Sequence, residues 1–140
     1  MLKKIQNFSI EELEGILSPL FQKKDLQLLI LFGSFVQGGR HPESDLDLAL
    51  LFDQPAEILQ LTNEVIRLVH TDRVDVVDLR RASPLLAFSI ARKGRVLYER
   101  SPGLFNNFFS LAFRRYADTA KLRDAQAEAV RLFLKARRQG

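Results

Sequence analysis

The chain of 140 residues has 21 Lys and Arg residues against 17 Asp and Glu residues, and 46% of it is hydrophobic. These proportions are typical of one soluble globular domain that buries its own core without a disulfide or metal cross-link. The absence of cysteine excludes thiol catalysis, thiolate metal sites and a disulfide scaffold, and it favours a reducing compartment.

Helical and strand patterns alternate through the first part of the chain. A capping box of Ser9 and Glu12 predicts the start of an amphipathic helix. The apolar run 27–32 predicts a buried strand, and residues 33–44 form a polar, glycine-rich loop. Residues 45–51 begin by alternating Asp with Leu, which indicates a second strand.

The pattern continues through the middle of the chain. Asp53 is predicted to be the N-cap of another helix, with Pro55 in its first turn. The β-branched segment 73–79 predicts a third strand. A helix is predicted between Ser83 and Gly94, and residues 95–99 predict a fourth strand.

The last part of the chain is predicted to be helical. Residues 105–116 place large aromatic side chains on one face, and a second apolar stripe follows after Thr119. The sequence therefore predicts an α/β (α+β) fold, in which a small mixed β-sheet is flanked by helices and followed by a C-terminal helical extension. We expect one domain over residues 1–140, with a core at 1–100 and C-terminal helices at 104–138.

Charge is distributed unevenly along the chain. Acidic residues outnumber basic ones up to Leu79, and basic residues strongly predominate after it. Such a basic segment fits an anionic partner, although a solvated helix face is an equal alternative. Without a secretory segment or an apolar run long enough to cross a bilayer, we expect a cytoplasmic protein with no membrane attachment.

Asp45 and Asp47 are two positions apart on a predicted strand, so their side chains project from the same face. Two adjacent carboxylates are costly to bury unless a cation neutralises them, and an all-oxygen site favours a hard ion such as Mg²⁺. Taken alone, the pair fits a solvent-facing strand start better than a metal site.

Gly33 and Ser34 follow the first predicted strand directly, and ten residues separate Ser34 from Asp45. Glycine permits a sharp turn and a close backbone approach to a ligand. Ser34 can open a short helix whose free N–H groups and hydroxyl receive a phosphate. The loop returns the chain beside the first strand, which places a phosphate-binding turn near the carboxylate pair, as phosphoryl or nucleotidyl transfer requires.

The segment GSFVQGGRHPESDLD resembles the GS-x10-D-x-D signature of the polymerase-β-like nucleotidyltransferase superfamily. That resemblance implies a third carboxylate from a later strand. We choose Asp75, because it lies early in its strand between two valines. Asp78 has the opposite parity and would point to the other sheet face, where it would serve a turn near Arg80 and Arg81.

The resemblance extends over nearly the whole chain to the MntA antitoxins, the minimal nucleotidyltransferases that pair with HEPN-domain HepT toxins. It is carried by the segments VDVVDLRRASPLLAFSIARKGRVLYER and FRRYADTAKLRDAQ as well as by the signature. The length leaves no room for the extra substrate-recognition domains of larger relatives. The resemblance implies a protein adenylyltransferase that transfers AMP from ATP to a tyrosine of a cognate HEPN ribonuclease toxin.

The same resemblance implies a role for each candidate residue. Asp45, Asp47 and Asp75 would hold two Mg²⁺ ions, and Asp75 would help to deprotonate the acceptor tyrosine. Gly33 and Ser34 would bind the phosphates of ATP.

Other functions and weaker site residues remain open at this stage. The alternative functions are an antitoxin that acts by direct binding and a small-molecule nucleotidyltransferase, whereas nucleic-acid binding by the basic tail is disfavoured. Arg40 is a weaker candidate for contacting phosphate. His41 is a poor candidate for a metal ligand, because no second histidine lies at ligand spacing.

Overall fold

The computed structural model describes residues 7–38 and 45–139. Its elements in chain order are α1 (Ile10–Leu17), a 3-10 helix (Ser18–Gln22), β1 (Leu26–Phe32), α2 (Ser34–Gln37), β2 (Leu46–Phe52), α3 (Ile58–Val69), β3 (Val74–Asp78), α4 (Pro84–Lys93), β4 (Arg95–Glu99), α5 (Leu104–Asp118) and α6 (Ala120–Gln139). The predicted class, a mixed sheet flanked by helices with a helical C-terminal extension, is confirmed.

The four strands form one mixed sheet in the order β3-β2-β1-β4. Strand β1 pairs antiparallel with both β2 and β4, whereas β2 pairs parallel with β3 through the crossover helix α3. The parallel pairing brings the starts of β2 and β3 to one end of the sheet. Strand β1 ends there too, because it runs in the opposite direction.

Helices cover both faces of the sheet, so the central strand is apolar on both sides. On one face Leu29 and Leu31 of β1 join a core that includes residues of α1 and α3. On the other face Leu28 and Ile30 join a core with residues of α4 and α5. All four side chains are fully buried. A strand that is buried on both faces has apolar residues at nearly every position. This explains why β1 shows no alternation of apolar and polar residues.

The first helix begins where the capping box predicts. Ser9 accepts a hydrogen bond from the Glu12 N–H at 3.0 Å, and the Glu12 carboxylate accepts one from the Ser9 N–H in return. The α-helix ends at Leu17, and the chain continues as a 3-10 helix with Pro19 in its first turn. Proline has no N–H to donate and restricts its neighbour, so the α-helical pattern stops there.

The prediction of Asp53 as an N-cap is wrong. Helix α3 begins at Ile58, with Glu57 at its N-cap position. The carboxylate of Asp53 instead accepts hydrogen bonds from Arg100 at 2.7 Å and Gln27 at 2.8 Å. The Arg100 guanidinium, and then the Gln27 amide, hold the pKa of Asp53 below its ordinary value. Because Gln27 lies in β1 and Arg100 directly follows β4, these contacts fix Asp53 at the end of the sheet.

The two C-terminal helices differ in their contacts with the core. Phe108 and Ala112 of α5 are buried against the sheet and α4. Helix α6 contains no buried residue. Among the residues that the structure describes, no helix combines the length and apolar character needed to traverse a bilayer.

Candidate active site

Three acidic residues lie on one face of the sheet, at the end where β2 and β3 begin. Asp45 directly precedes β2, and Asp47 is its second residue. Asp75 occupies the equivalent position in β3, and it is the parallel partner of Asp47 in the register. Paired residues of adjacent strands project to the same side, and residues two apart share a face. The sheet therefore brings together the three carboxylates that the sequence singled out.

Gly33 turns the chain immediately beside this carboxylate group. Phe32, the last residue of β1, lies opposite Asp47 in the sheet. Gly33 has a φ of 76° and a ψ of −150°, a conformation that is open to glycine and strained for other residues. A Cβ atom built on Gly33 would lie 2.1 Å from Oδ2 of Asp47. The close approach of backbone and carboxylate therefore requires glycine here.

Ser34 begins α2 at this turn, as predicted. The N–H groups of Val36 and Gln37 both donate to the carbonyl oxygen of Gly33 at 3.1 Å, which closes the single helical turn. The first N–H groups of a helix have no acceptor within it and can donate to an anion. Gly33 and Ser34 thus adjoin the carboxylates, and the backbone of Ser34 is available to a phosphate.

The electrostatics of the group agree with its geometry. The pKa of Asp47 is raised from 3.8 to about 6, first by burial and then by the negative charges of Asp75 and Asp45. A carboxyl group that resists ionisation because it is half-buried and adjoins two other carboxylates is a group that a cation stabilises. The three residues supply hard oxygen donors of the kind that bind Mg²⁺.

As placed, the described side chains include no three acidic or histidine groups that already stand at metal-ligand separation. The carboxylates would have to rotate toward a common point to share an ion. Asp45 and Asp75 are exposed and Asp47 is half-buried, so all three have room to do so. The donor set therefore fits a divalent cation in its chemistry and its location.

We expect Asp47→Asn to make the protein more stable at pH 8 when divalent ions are chelated. The raised pKa means that the folded state binds the proton more tightly, so the wild type loses stability as pH rises from about 4 to about 6. Asparagine avoids this loss, which we place at about 1–2 kcal/mol after solvent screening. Urea denaturation at pH 4 and pH 8 in the presence of EDTA measures it. Equal stability of the two proteins at pH 8 would contradict the assignment.

Asp78 has a different position from the carboxylate group. It is buried on the other face of the sheet, and its Oδ1 accepts a hydrogen bond from the Arg80 N–H at 3.0 Å. Its Oδ2 lies 3.8 Å from Nε of Arg81. These contacts fit the turn role that its parity in the strand predicts.

The parallel register of β2 and β3 is the feature of the site that the sequence did not show. The Leu46 N–H donates to the Arg73 carbonyl oxygen at 2.9 Å, which aligns the two strand starts. A separate cavity of about 350 Å³ opens toward the opposite ends of these strands, and none of the five candidate residues lines it. Arg40 and His41 lie outside the described residues.

Comparisons with known proteins give matching results. Residues 14–103 match the family described as polymerase beta, nucleotidyltransferase. The protein adenylyltransferase MntA of Aphanizomenon flos-aquae is 30% identical over 122 residues, which cover 78% of this chain and 81% of that protein. The family match spans all five candidate residues, Gly33, Ser34, Asp45, Asp47 and Asp75.

Two solved structures resemble the fold closely. A chain from a crystal structure of a toxin-antitoxin with AMP-PNP is 28% identical, with a TM-score of 0.74, over 88% of this chain and 98% of that chain. A chain from the complex of a tri-AMPylated Shewanella oneidensis HEPN toxin with an MNT antitoxin is 25% identical, with a TM-score of 0.68, over 90% of this chain and 98% of that chain.

Proposed function

The chain belongs to the polymerase β nucleotidyltransferase family, among the MntA-type minimal members, and we propose that it is an antitoxin that AMPylates its toxin. In this proposal it is a protein adenylyltransferase that transfers AMP from ATP to a tyrosine of a cognate HEPN ribonuclease toxin, which neutralises the toxin. Residues 1–100 supply the catalytic core and 104–138 the C-terminal helices of a single cytoplasmic domain.

The observation that carries this proposal is the pairing of Asp47 with Asp75 in the sheet, with Asp45 on the same face. The turn at Gly33 and Ser34 adjoins this carboxylate group. A phosphate-binding turn beside carboxylates of a metal site is the arrangement that nucleotidyl transfer needs. The relatives named for AMP transfer and for HEPN toxins support the choice of substrate and partner.

Each residue has a distinct part in the proposed reaction. Asp45 and Asp47 would hold two Mg²⁺ ions, and Asp75 would be a further ligand of the second. Bound Mg²⁺ would neutralise the charge of the triphosphate and of the leaving pyrophosphate. Gly33 and Ser34 hold the β- and γ-phosphates through backbone N–H groups and the serine hydroxyl.

The reaction joins the tyrosine oxygen to the α-phosphorus of ATP. As that bond forms, the bond from the α-phosphorus to the oxygen that bridges to the β-phosphate breaks, and pyrophosphate leaves. The tyrosine has a pKa of about 10, so it is a poor nucleophile at neutral pH until it loses its proton. Asp75 is exposed and accepts this proton directly or through water. Positioning and charge stabilisation account for most of the rate.

Intact-mass measurement of the toxin tests the proposal. The full-length protein is incubated with the cognate HEPN toxin, ATP and Mg²⁺, and we expect the toxin to gain the mass of one or more AMP groups. Toxin with ATP and Mg²⁺ alone is the control and should keep its mass. An unchanged toxin mass together with loss of ribonuclease activity would overturn the proposal in favour of inhibition by direct binding.

A further inference from the structure

Helix α6 exposes an unusual amount of apolar surface for a helix of a small domain. Its large apolar side chains are each exposed to between 50% and 60%; they are Leu122, Val130, Leu132, Phe133 and Leu134. Leu132 and Leu134 are two residues apart and therefore project to different sides of the helix, whereas Leu122, Val130 and Phe133 share one side. Exposed apolar side chains that share one side of a helix about 30 Å long form a surface that a protein partner can cover.

The direction of α6 is fixed where it joins α5. The Arg123 guanidinium lies 3.8 Å from the ring centroid of Tyr116 and donates to the Tyr116 carbonyl oxygen at 3.1 Å. It also donates to the hydroxyl of Thr119, the single residue between the two helices. Tyr116 in turn packs on Phe88 of α4, with ring centroids 4.6 Å apart. These contacts link α6 to the core, so its exposed face is presented in a defined direction.

The charge of α6 indicates the chemistry of the surface that it fits. The helix contains six basic residues and two acidic ones, and one of the acidic residues, Glu128, is already paired with Arg131. Over residues 80–140 there are 14 basic and 4 acidic residues, a net charge of +10, whereas residues 1–79 have 7 basic and 13 acidic, a net charge of −6. A partner surface that is acidic around an apolar centre would complement this helix.

We propose that α6 is the docking helix for the substrate protein, and that it binds an apolar surface rimmed by carboxylates on the HEPN toxin. This inference rests on the proposed function, which supplies a protein as the acceptor of AMP. Asp45 and Asp75 are exposed, so the described carboxylates do not themselves enclose an acceptor, and a separate surface would hold it near them. Docking through α6 provides that attachment and leaves the carboxylate face open to ATP and the tyrosine.

The structure disfavours the other occupants of this surface. A second copy docking by its own α6 would bring two positively charged helices together. A bilayer would have to accept Arg137, whose guanidinium lies 5.6 Å from the ring centroid of Phe133 within the apolar row. Nucleic acid would place its phosphates against leucine and valine side chains.

Two substitutions in α6 test the proposal, with a matched control on α3. The variant Leu122→Asp/Phe133→Asp replaces two of the exposed apolar side chains of α6 with acidic ones. We expect its Kd and KM for the HEPN toxin to rise at least about 30-fold, with kcat unchanged. Leu59→Asp makes the same change at a side chain that is 75% exposed, and it should leave both constants within about twofold. Circular dichroism confirms that the variants keep their helices.

A charge-reversal variant separates the electrostatic contribution from the apolar one. Lys135→Glu/Arg138→Glu should slow association and reduce the salt dependence of binding. Unchanged toxin affinity in the Leu122/Phe133 variant would overturn the docking proposal. The proposal would also be overturned if this variant lost only self-association, only binding of anionic vesicles or only binding of RNA. If the wild type binds toxin through α6 without transferring AMP, docking is supported and the proposed catalytic function fails.

Discussion

Asp45→Asn/Asp47→Asn is expected to lower the rate of AMP transfer at least about a thousandfold. The substitutions remove two of the three carboxylates that are proposed as metal ligands. Asparagine has nearly the shape of aspartate, so the strands and the turn at Gly33 should be preserved. Toxin modification is measured by intact mass over time, and toxin binding is measured in parallel.

The control variant for this experiment also removes two negative charges, but it removes them at a distance from the candidate site. Glu11→Gln/Glu14→Gln removes two exposed carboxylates from α1, on the opposite face of the sheet, and should retain full activity. Toxin binding by the Asp45/Asp47 variant should stay within about threefold of the wild type, because docking is assigned to α6. Transfer at a rate near that of the wild type would show that these carboxylates are not the catalytic centre.

The sequence predicted the relative placement of the candidate site residues better than it predicted the ends of the helices. Gly33, Ser34, Asp45 and Asp47 are linked by short spacings within one strand, turn and strand, so local geometry decides where they lie. Asp75 required a further inference, because its register with Asp47 depends on the crossover through α3. The parity of alternate strand residues was sufficient to separate Asp75 from Asp78.

The incorrect N-cap at Asp53 arose from a contact that local sequence does not encode. Aspartate before a proline is a frequent helix start, and the pattern of the apolar residues in α3 gave no reason to move it. Arg100 is 47 residues away from Asp53 in the sequence. Its bidentate contact with Asp53 forms only when β1 has paired with both β2 and β4, because Arg100 directly follows β4. Tertiary contacts of this kind override local capping preferences.

The C-terminal stripes show a different limit of sequence patterns. Helices α5 and α6 both have apolar residues at helical spacing. Such a pattern predicts that one face of each helix is covered, but it does not identify what covers that face. In α5 the sheet and α4 cover it, since Phe108 and Ala112 are buried. In α6 nothing within the described chain covers it. Periodicity thus located an apolar face in each helix, and the fold was needed to show that the second is exposed in the described chain.

Gly33→Ala is expected to lower the free energy of unfolding by about 2–4 kcal/mol and to reduce AMP transfer at least about a hundredfold. The added methyl group would lie 2.1 Å from Oδ2 of Asp47, and the φ of 76° is unfavourable for alanine in any case. Either the carboxylate turns away from the site or the chain moves at the end of β1. Both changes displace Asp47 relative to Ser34, and the proposed chemistry requires these two residues to lie close together.

Two comparisons separate the clash from the backbone strain. Gly38→Ala places alanine at a φ of 82°, where the described residues other than its chain neighbours place no atom within 4 Å of the new Cβ, so it should cost about 1 kcal/mol and leave transfer intact. In an Asp47→Ala background the oxygen that Gly33→Ala would strike is gone, so the substitution at Gly33 should cost less there. Denaturation of the four proteins of this double-mutant cycle gives the coupling. An equal cost in both backgrounds would show that Gly33 is needed for its backbone conformation and not for the space that Asp47 occupies.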